Sequence, residues 1–219
     1  MAIPKIIYQT FKSDNLPLLT KWHIRKLKRR NPEYEYQFYN DERIAAFILK
    51  EFGSEIFDLY QRIDIGAAKA DFFRYAILYK KGGVYLDIDS LMVTKLDDFI
   101  SSSDSAIISL ENNSEYYVQW ALIFEAGHPF LKKTLDIVIE NLKFNKYPNN
   151  VHKMTGPAAY SKAIRECLKG SLKINYKKLG TDYEGNFRFH YRFSKFFLYG
   201  FFRKNHWKNL QQEKSILKN

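Results

Sequence analysis

Two aspartates, Asp87 and Asp89, are the residues of this sequence best placed to do chemistry. They follow an apolar run, residues 84–86, that predicts a β-strand. Side chains alternate along an extended segment, so both carboxylates should face one way while Ile88 faces the other. Carboxylates on one side of a strand end supply the hard oxygen ligands that Mg²⁺ and Mn²⁺ prefer. The spacing therefore predicts a divalent-metal site.

The element before this strand is a predicted helix over residues 67–81, which contains no Pro or Gly and is apolar on most faces. A helix of that kind is buried. Asp71 and Arg74, three positions apart, are neighbours on its surface. Because charges in a buried helix are costly unless they pair or meet a polar group, we expect either a structural ion pair or a polar ligand there. Gly82 and Gly83 end the helix, since glycine adopts the left-handed conformation at low cost.

Strand-like and helix-like patterns alternate along the rest of the chain, which predicts an α/β fold. Gln9 and Thr10 end the first strand, and ligands in open α/β sheets bind beyond the carboxyl ends of strands, so we expect both residues on the ligand side. His128, just before Pro129, is expected to begin a helix and not to bind a ligand. The other predicted strands cover residues 3–10, 34–39, 91–93, 106–108 and 116–124, with an alternating segment at 187–193. The other predicted helices cover residues 18–30, 41–50 and 130–144, and one more starts near residue 157 after a polar loop at 146–153.

The sequence ADFFRYAILYKKGGVYLDID at residues 70–89 resembles the glycosyltransferases that carry a DXD motif, specifically the family of the Och1-type mannosyltransferases. Alpha-1,4-galactosyl- and alpha-1,4-N-acetylglucosaminyltransferases are similar, and the glucosylating clostridial toxins are more distant relatives. A lone DxD is a weak signal, but its combination with the upstream helix and the two glycines is specific. The resemblance implies a GT-A fold, that is, a single Rossmann-like mixed sheet flanked by helices, followed here by a basic, aromatic C-terminal extension.

The resemblance also implies the parts of a donor site. Asp89 is expected to bind Mn²⁺ or Mg²⁺ directly, with Asp87 beside it. Asp71 and Arg74 are expected to hold the donor hexose. The other residues implied to contact the nucleotide sugar are Tyr8, Gln9, Thr10, Gln119 and Trp207, and His206 is implied as a further metal ligand. Tyr8 stands where the family usually has His. A role as an ordinary aromatic residue of the core is as good an explanation for Tyr8 as a contact with the ligand. Gln119 stands where the family usually has Asn.

Related enzymes are retaining transferases that move a hexose from a UDP- or GDP-linked sugar to a glycan or lipid-linked glycan acceptor. A divalent ion that bridges the diphosphate stabilises this leaving group as its charge grows. A double displacement would need a carboxylate nucleophile, and the sequence identifies none. We therefore favour a same-face route in which the departing phosphate takes the acceptor's proton. A small member of this family suggests the synthesis of a capsular or other surface polysaccharide.

The charge of the chain is unevenly distributed. Residues 145–219 carry 16 Lys and Arg against 4 Asp and Glu, whereas residues 1–144 carry 19 against 20. Such asymmetry indicates an anionic partner, either nucleic acid, an anionic membrane or a phosphorylated acceptor, and a plain solvated surface is the simplest alternative. Alternating aromatic and basic residues in the tail are also typical of single-strand binding. A nucleic-acid-binding module is thus the second hypothesis, although it leaves Asp71, Arg74 and the two aspartates unexplained. Metal-dependent phosphoryl transfer would usually need more acidic ligands.

A chain of 219 residues, 46% of them hydrophobic, is expected to fold as one domain over residues 1–219. Residues 1–144 would form its nucleotide-sugar and metal core, and residues 145–219 its basic acceptor-side segment. One cysteine, Cys167, excludes an internal disulfide. The sequence shows no signal peptide and no apolar run of about 18 residues. We therefore expect a cytoplasmic enzyme, with peripheral contact at the inner face of the membrane as a further expectation.

Overall fold

The computed structural model of the protein describes residues 2–112, 114–194, 198 and 207–218. The strands in these ranges are β1 (Ile6–Thr10), β2 (Glu35–Tyr39), β3 (Gly83–Leu86), β4 (Leu91–Met92), β5 (Ala106–Ile108), β6 (Ala121–Phe124), β7 (Lys177–Lys178) and β8 (Phe187–Arg188). The helices are α1 (Leu18–Arg30), α2 (Asp41–Gln61), α3 (Gly66–Lys81), α4 (Pro129–Lys143), α5 (Val151–Met154), α6 (Pro157–Lys169) and α7 (Trp207–Glu213). Two 3-10 helices cover Leu96–Asp98 and Thr181–Gly185. None of the helices in these ranges is long and apolar enough to span a membrane.

Six strands form one mixed sheet in the order β2-β1-β3-β6-β5-β7, and β4 pairs with β8 in a separate ribbon. Strands β2, β1 and β3 are parallel, whereas β6 is antiparallel to both β3 and β5. Tyr8 of β1 lies beside Tyr85 of β3, so the segments that follow these two strands leave the same edge of the sheet. This register brings the predicted ligand-side residues and the DXD motif together. The predicted α/β mixed sheet is confirmed.

The sheet separates two hydrophobic cores. Tyr8 and Tyr85 face the larger core, which contains the apolar sides of α2, α3, α4 and α6. Ile7 and Val84 face the smaller core, which includes α1 and the first 3-10 helix. Adjacent strand residues alternate between the two cores because side chains point to opposite faces of a strand. Helices therefore cover both faces of the sheet.

Helix α3 passes through the larger core, as its apolar faces predict. Every residue from 71 to 78 is buried, including Asp71 and Arg74. Gly82 ends the helix with φ 66°, and a Cβ there would lie 2.7 Å from the Ala126 backbone nitrogen. A Cβ on Gly83, with φ 109°, would lie 2.8 Å from the Ile6 carbonyl oxygen. Both positions require glycine, and this sharp turn delivers the chain from α3 directly into β3.

Helix α2 is longer than the predicted 41–50. It continues to Gln61 across a break at Gly53, where φ is 80°, and its second half buries Leu59 and Tyr60. Asn40 caps the helix, because its side chain accepts a hydrogen bond of 2.9 Å from the Arg43 backbone N–H. Residues 151–154, predicted as part of a polar loop, form the short helix α5, which Asn150 caps in the same way at 3.0 Å.

The predicted strand over residues 116–124 is confirmed only at Ala121–Phe124. The carbonyl of Gln119 accepts a hydrogen bond of 2.8 Å from Arg74, and the carbonyl of Trp120 accepts one of 2.8 Å from the backbone of Asp87. The Trp120 carbonyl thus continues the backbone pairing of β3 and β6 by one residue, whereas the Gln119 carbonyl is taken up by a side chain. The predicted alternating strand at 187–193 was also too long, since only Phe187–Arg188 pairs, with β4.

His128 begins α4, as predicted from its place before Pro129. It is 1% exposed, and its Nδ1 accepts a hydrogen bond of 3.2 Å from the Phe130 N–H. Its Nε2 lies 3.1 Å from the Asn175 carbonyl, so Nε2 carries the proton and donates it. Burial lowers the pKa of His128, against the opposing effect of its contact with Asn175. The neutral ring is the form that this capping arrangement requires.

We expect the contribution of His128 to the free energy of unfolding to fall as the pH drops below about 6.5, the ordinary histidine pKa. The pKa of folded His128 lies below that of the unfolded chain, so acid protonates the unfolded state first and stabilises it. His23 and His152 have pKa values lowered mainly by burial and act in the same direction. Urea unfolding between about pH 8 and pH 5 would measure the slope of the free energy of unfolding against pH. His128→Asn keeps a capping side chain without a titrating ring, so its slope should be shallower by at most about 1.4 kcal/mol per pH unit. Equal slopes for the two proteins would contradict this assignment.

Candidate active site

The predicted site residues meet at the carboxyl edge of β1 and β3. Asp87 and Asp89 follow β3, while Gln9 and Thr10 end β1. Asp71 and Arg74 reach the same edge from the second and third turns of α3. The sequence placed Gln9 and Thr10 on the ligand side from their position at a strand end, and the family resemblance implied that the other four residues belong to the same donor site. The structure adds the contacts that hold the group together.

Arg74 lies between the two acidic elements. Its guanidinium is 2.9 Å from Asp87 Oδ1 and 3.4 Å from Asp71 Oδ1, and it donates to the Gln119 carbonyl at 2.8 Å. The group also stacks 4.8 Å above the ring of Tyr85. Burial works against the charge of Arg74, but Asp87, Tyr85 and Asp71 together raise its pKa above the usual arginine value. Arg74 is therefore a fixed cation that joins the DXD motif to α3.

The carboxylate of Asp71 accepts hydrogen bonds from two groups in distant parts of the chain. Thr155 Oγ donates to Oδ2 at 2.8 Å, and Gln119 Nε2 donates to Oδ1 at 3.1 Å. Gln119 in turn accepts a hydrogen bond of 2.8 Å from the Tyr75 hydroxyl. Gln119 thus lies in the site, as predicted, and its amide is engaged by Asp71 and Tyr75. Its contact with a donor sugar stays a prediction.

Thr155 was not assigned to the site from the sequence, which predicted only that a helix starts near residue 157. That prediction is confirmed, because α6 begins at Pro157 with Gly156 as its N-cap. The hydroxyl of Thr155 nevertheless points back to Asp71, 84 residues away in the chain. No local pattern in the sequence could have indicated this contact.

Asp87 is engaged by Arg74 and by the Tyr85 hydroxyl, which donates to its Oδ1 at 2.9 Å. Burial raises the pKa of Asp87 to about 6, while Arg74 opposes the rise and the like charge of Asp89 adds to it. The side chain still exposes 23% of its surface, so an arriving ligand can reach it. A positive charge placed against Asp87 would lower its pKa and favour its ionised form.

Asp89 contacts the C-terminal tail. Its Oδ2 lies 3.0 Å from His190 Nδ1, a buried nitrogen that makes no hydrogen bond of normal geometry. The Tyr191 N–H donates to the Asp89 carbonyl at 2.9 Å, and Ser90 Oγ donates to the Phe189 carbonyl at 2.9 Å. The tail is therefore tied to the DXD loop by its backbone, and it presents an imidazole nitrogen beside the second aspartate. In the sequence, His190 was notable only as part of the alternating aromatic and basic segment, between Arg188 and Arg192.

The residues at the end of β1 differ in their surroundings. Gln9 Nε2 donates to the Asp87 carbonyl at 3.2 Å, and Gln9 Oε1 accepts from the Tyr36 hydroxyl at 3.1 Å. Thr10 Oγ donates to the Tyr39 carbonyl at 2.8 Å. Tyr8 is 1% exposed and packs in the larger core, as expected if it is an ordinary core aromatic. The predicted contacts of these three residues with a nucleotide stay predictions.

The two predicted residues from the end of the tail have different outcomes. Trp207 begins α7 and packs with its ring 5.1 Å from the ring of His152, a residue that the sequence did not single out. His206, predicted as a metal ligand, lies outside the described residues.

Together the fold and this acidic site define a glycosyltransferase of the GT-A type. A family model described as the glycosyltransferase sugar-binding region containing a DXD motif matches residues 19–106. An uncharacterized glycosyltransferase of Acanthamoeba polyphaga mimivirus is 31% identical over 186 residues, which are 83% of this chain and 72% of the relative. The chain belongs to this family of DXD-motif glycosyltransferases.

A second relative is the initiation-specific alpha-1,6-mannosyltransferase of Schizosaccharomyces pombe, 28% identical over 194 residues and 76% of this chain. The matched region is 49% of that protein, so the chain spans about half the length of this relative. Among solved structures, the UDP-bound glycosyltransferase domain of the YGT toxin superposes with a TM-score of 0.58 at 11% identity. The superposition covers 81% of this chain and 79% of the toxin domain. At that identity it supports the GT-A fold, and none of these matches supports the nucleic-acid-binding alternative.

Proposed function

We propose that the protein is a metal-dependent, retaining glycosyltransferase that moves a hexose from a nucleotide sugar to a glycan acceptor. The observation that carries this proposal is the position of Arg74, which is held between Asp71 and Asp87 at the carboxyl edge of the sheet. Ligands of open α/β sheets bind at this edge. A nucleotide sugar offers both kinds of group that such a site can bind, namely hydroxyls for carboxylates and a diphosphate for cations.

The donor hexose is assigned to Asp71 and Arg74. Asp71 accepts hydrogen bonds from Thr155 and Gln119, so its position is fixed before any sugar arrives. The remaining acceptor capacity of its two oxygens suits sugar hydroxyls. The fork of Arg74 adds donors for sugar or phosphate oxygens. On the nucleotide side, Gln9 fixes the backbone of Asp87, and Tyr8 and Thr10 remain proposed neighbours of the nucleotide.

The residues around Asp89 suit a divalent metal ion. Asp89 supplies a buried carboxylate, and His190 places an imidazole nitrogen without a normal hydrogen bond 3.0 Å from it. Within the described ranges no cluster of three His, Cys, Asp or Glu residues could hold a metal alone. Mg²⁺ is usually bound by one or two protein ligands together with substrate phosphates and water, which fits this set. When bound, Mn²⁺ or Mg²⁺ would stabilise the charge of the departing diphosphate.

The proposed transfer is a substitution at the anomeric carbon of the donor sugar. The bond from this carbon to the diphosphate oxygen breaks, and a bond to the acceptor oxygen forms on the same face of the sugar. The proton of the acceptor hydroxyl passes to the departing phosphate. Asp71 and Arg74 orient the sugar throughout. Determining the anomeric configuration of the product by NMR tests this route, since an inverted product would rule it out.

The identities of donor and acceptor are proposed from the relatives. The S. pombe relative is a mannosyltransferase, which favours mannose as the transferred sugar, whereas the toxin domain binds UDP. Both GDP- and UDP-linked sugars are therefore candidate donors. The basic residues 145–219 suit a phosphorylated or lipid-linked glycan acceptor, with contact to an anionic membrane as a further proposal. Synthesis of a surface or capsular polysaccharide would be consistent with such an acceptor.

A thermal-shift experiment tests donor binding and metal dependence together. We expect one of GDP-mannose, UDP-glucose, UDP-galactose and UDP-N-acetylglucosamine to raise the Tm by about 5–10 °C with Mn²⁺, at a concentration about 100 times its Kd. The shift should disappear in EDTA, because the diphosphate then lacks its counterion. If none of the four sugars shifts the Tm in the presence of Mn²⁺, the proposed function is wrong. The sugar that does shift it identifies the base.

A further inference from the structure

Three partly exposed aromatic side chains lie in a row: Tyr116, His152 and Trp207, referred to below as the ring row. The ring of His152 is at its centre, 5.1 Å from Trp207 at an interplanar angle of 36° and 6.2 Å from Tyr116 at 87°. The three residues come from separate parts of the chain, the segment before β6, helix α5 and the start of α7. No step of the proposed transfer uses them.

The ring row adjoins Asp71. A Cβ built on Gly156 would lie 3.0 Å from the Cα of His152 and 3.4 Å from Asp71 Oδ2, so the backbone of His152 and the Asp71 carboxylate both lie beside this glycine. Thr155, the next residue toward α5, donates its hydroxyl to Asp71. Tyr116 lies three residues before Gln119, which also donates to Asp71. Helix α5, which carries His152, thus lies next to the sugar end of the site.

The polar groups of the site form a linear sequence of contacts. Asp89 and Asp87 stand at one end, Arg74 links Asp87 to Asp71, and Asp71 lies beside Gly156, which also borders the backbone of His152. If the proposed function is correct, the diphosphate occupies the end with Asp87 and Asp89, and the donor hexose lies against Asp71. The acceptor must then approach from the remaining side of Asp71. The ring row is the candidate surface for that approach, because the backbone of His152 and the Asp71 carboxylate both border Gly156.

We propose that the ring row is the acceptor subsite and that it binds a hexose ring of the acceptor glycan. Carbohydrates present flat faces of C–H groups, which pack against aromatic rings, and their hydroxyls hydrogen-bond at the rim. The row offers aromatic surface from Tyr116 and Trp207 with one polar ring between them, the mixture typical of small-ligand sites. Burial lowers the pKa of His152, although Asp71 opposes this, so the neutral ring can both donate and accept a hydrogen bond.

A purely structural role, in which the ring row anchors α7, is the competing explanation. The C-terminal segment has other anchors: Gln211 accepts a hydrogen bond of 3.0 Å from the Val151 N–H, and the Ile216 N–H donates to the Pro148 carbonyl at 2.7 Å. Leu217 also pairs with Ile63 in an isolated bridge. Because these contacts hold the segment independently, loss of the Tyr116 ring should change sugar binding without releasing α7.

The experiment is saturation-transfer NMR on the full chain with methyl glycosides of α-mannose, α-glucose, α-galactose and N-acetyl-β-glucosamine. We expect at least one glycoside to receive saturation from the wild-type protein. Tyr116→Leu retains apolar bulk but removes the flat ring, and His152→Ala removes the central ring. Each should weaken binding about threefold to tenfold. Tyr116→Phe keeps the ring and should bind like the wild type. Phe144→Ala, at a ring 71% exposed at the end of α4, is the matched control and should have no effect.

The Tm shift by nucleotide sugar and Mn²⁺, measured on the same variants, separates the two proposals. An intact donor shift with unchanged glycoside binding in Tyr116→Leu and His152→Ala overturns the acceptor subsite and leaves the proposed function standing. Failure of all four glycosides to bind the wild type also overturns it. A third outcome is also possible: the variants lose glycoside binding, but no nucleotide sugar raises the Tm of the wild type. That result would support the sugar subsite and overturn the transferase proposal.

Discussion

Asp89→Asn is expected to lower transferase activity by about a hundredfold to a thousandfold, the effect of removing a principal electrostatic group from an active site. An asparagine of the same shape keeps the fold of the loop but loses the charge that the proposed metal site needs. Asp89 makes no ion pair with Lys or Arg in the described part of the chain, so its loss should leave the Tm nearly unchanged. The rate of sugar transfer, titrated with Mn²⁺, measures the effect, and the Mn²⁺ concentration for half-maximal rate should rise.

Asp136→Asn is the matched control for this variant. Asp136 is a half-exposed carboxylate on α4 that pairs with Lys132 one turn away, at 2.6 Å. Its removal changes the net charge by the same amount but should affect neither the rate nor the response to Mn²⁺. Full activity in Asp89→Asn would show that the metal role belongs to another residue. A large fall in Tm would show instead that the contact with His190 is structural.

Local features of the fold were predictable because they depend on residues close in sequence. Helix α1 has the predicted bounds, and the contact between Asp71 and Arg74 follows from their spacing of three residues on a helix. The turn through Gly82 and Gly83 was also predicted from residue type alone. In each case one element is sufficient to determine the geometry. Strand order then placed the end of β1 beside the DXD motif, as expected for an α/β sheet.

Contacts between distant segments were not predictable. Thr155 reaches Asp71, and His190 lies beside Asp89 about a hundred residues earlier in the chain. Nothing in the local pattern around Thr155 or His190 distinguishes them from a helix-start residue and a tail residue. The short β6 has the same cause, since Arg74 binds the Gln119 carbonyl that a longer strand would have used. At this end of β6 a charged side chain therefore competes with regular backbone pairing.

Arg74→Gln is expected to destabilise the protein by about 3–5 kcal/mol, the usual cost of removing one partner from a buried ion pair. Asp71 and Asp87 would keep their charges without the cation that now lies 3.4 Å and 2.9 Å from them. For a chain of this length the loss corresponds to a fall in Tm of about 6–20 °C, measurable by calorimetry or urea unfolding. The deficit should shrink in mild acid, because burial raises the pKa of Asp87 to about 6 and its protonation removes one uncompensated charge.

Two further variants make this test specific. Arg43→Gln removes an arginine that is 56% exposed and 3.9 Å from Asp14, and it should change stability by less than about 1 kcal/mol. Arg74→Lys keeps the positive charge but not the planar fork that bridges Asp71, Asp87 and the Gln119 carbonyl. It should regain part of the stability while transfer stays impaired, because the donor sugar loses its oriented contact. If Arg74→Gln unfolded at the wild-type Tm, Arg74 could not be the counterion of the two carboxylates, and the site would have to be held together by the hydrogen bonds from Thr155 and Gln119 alone.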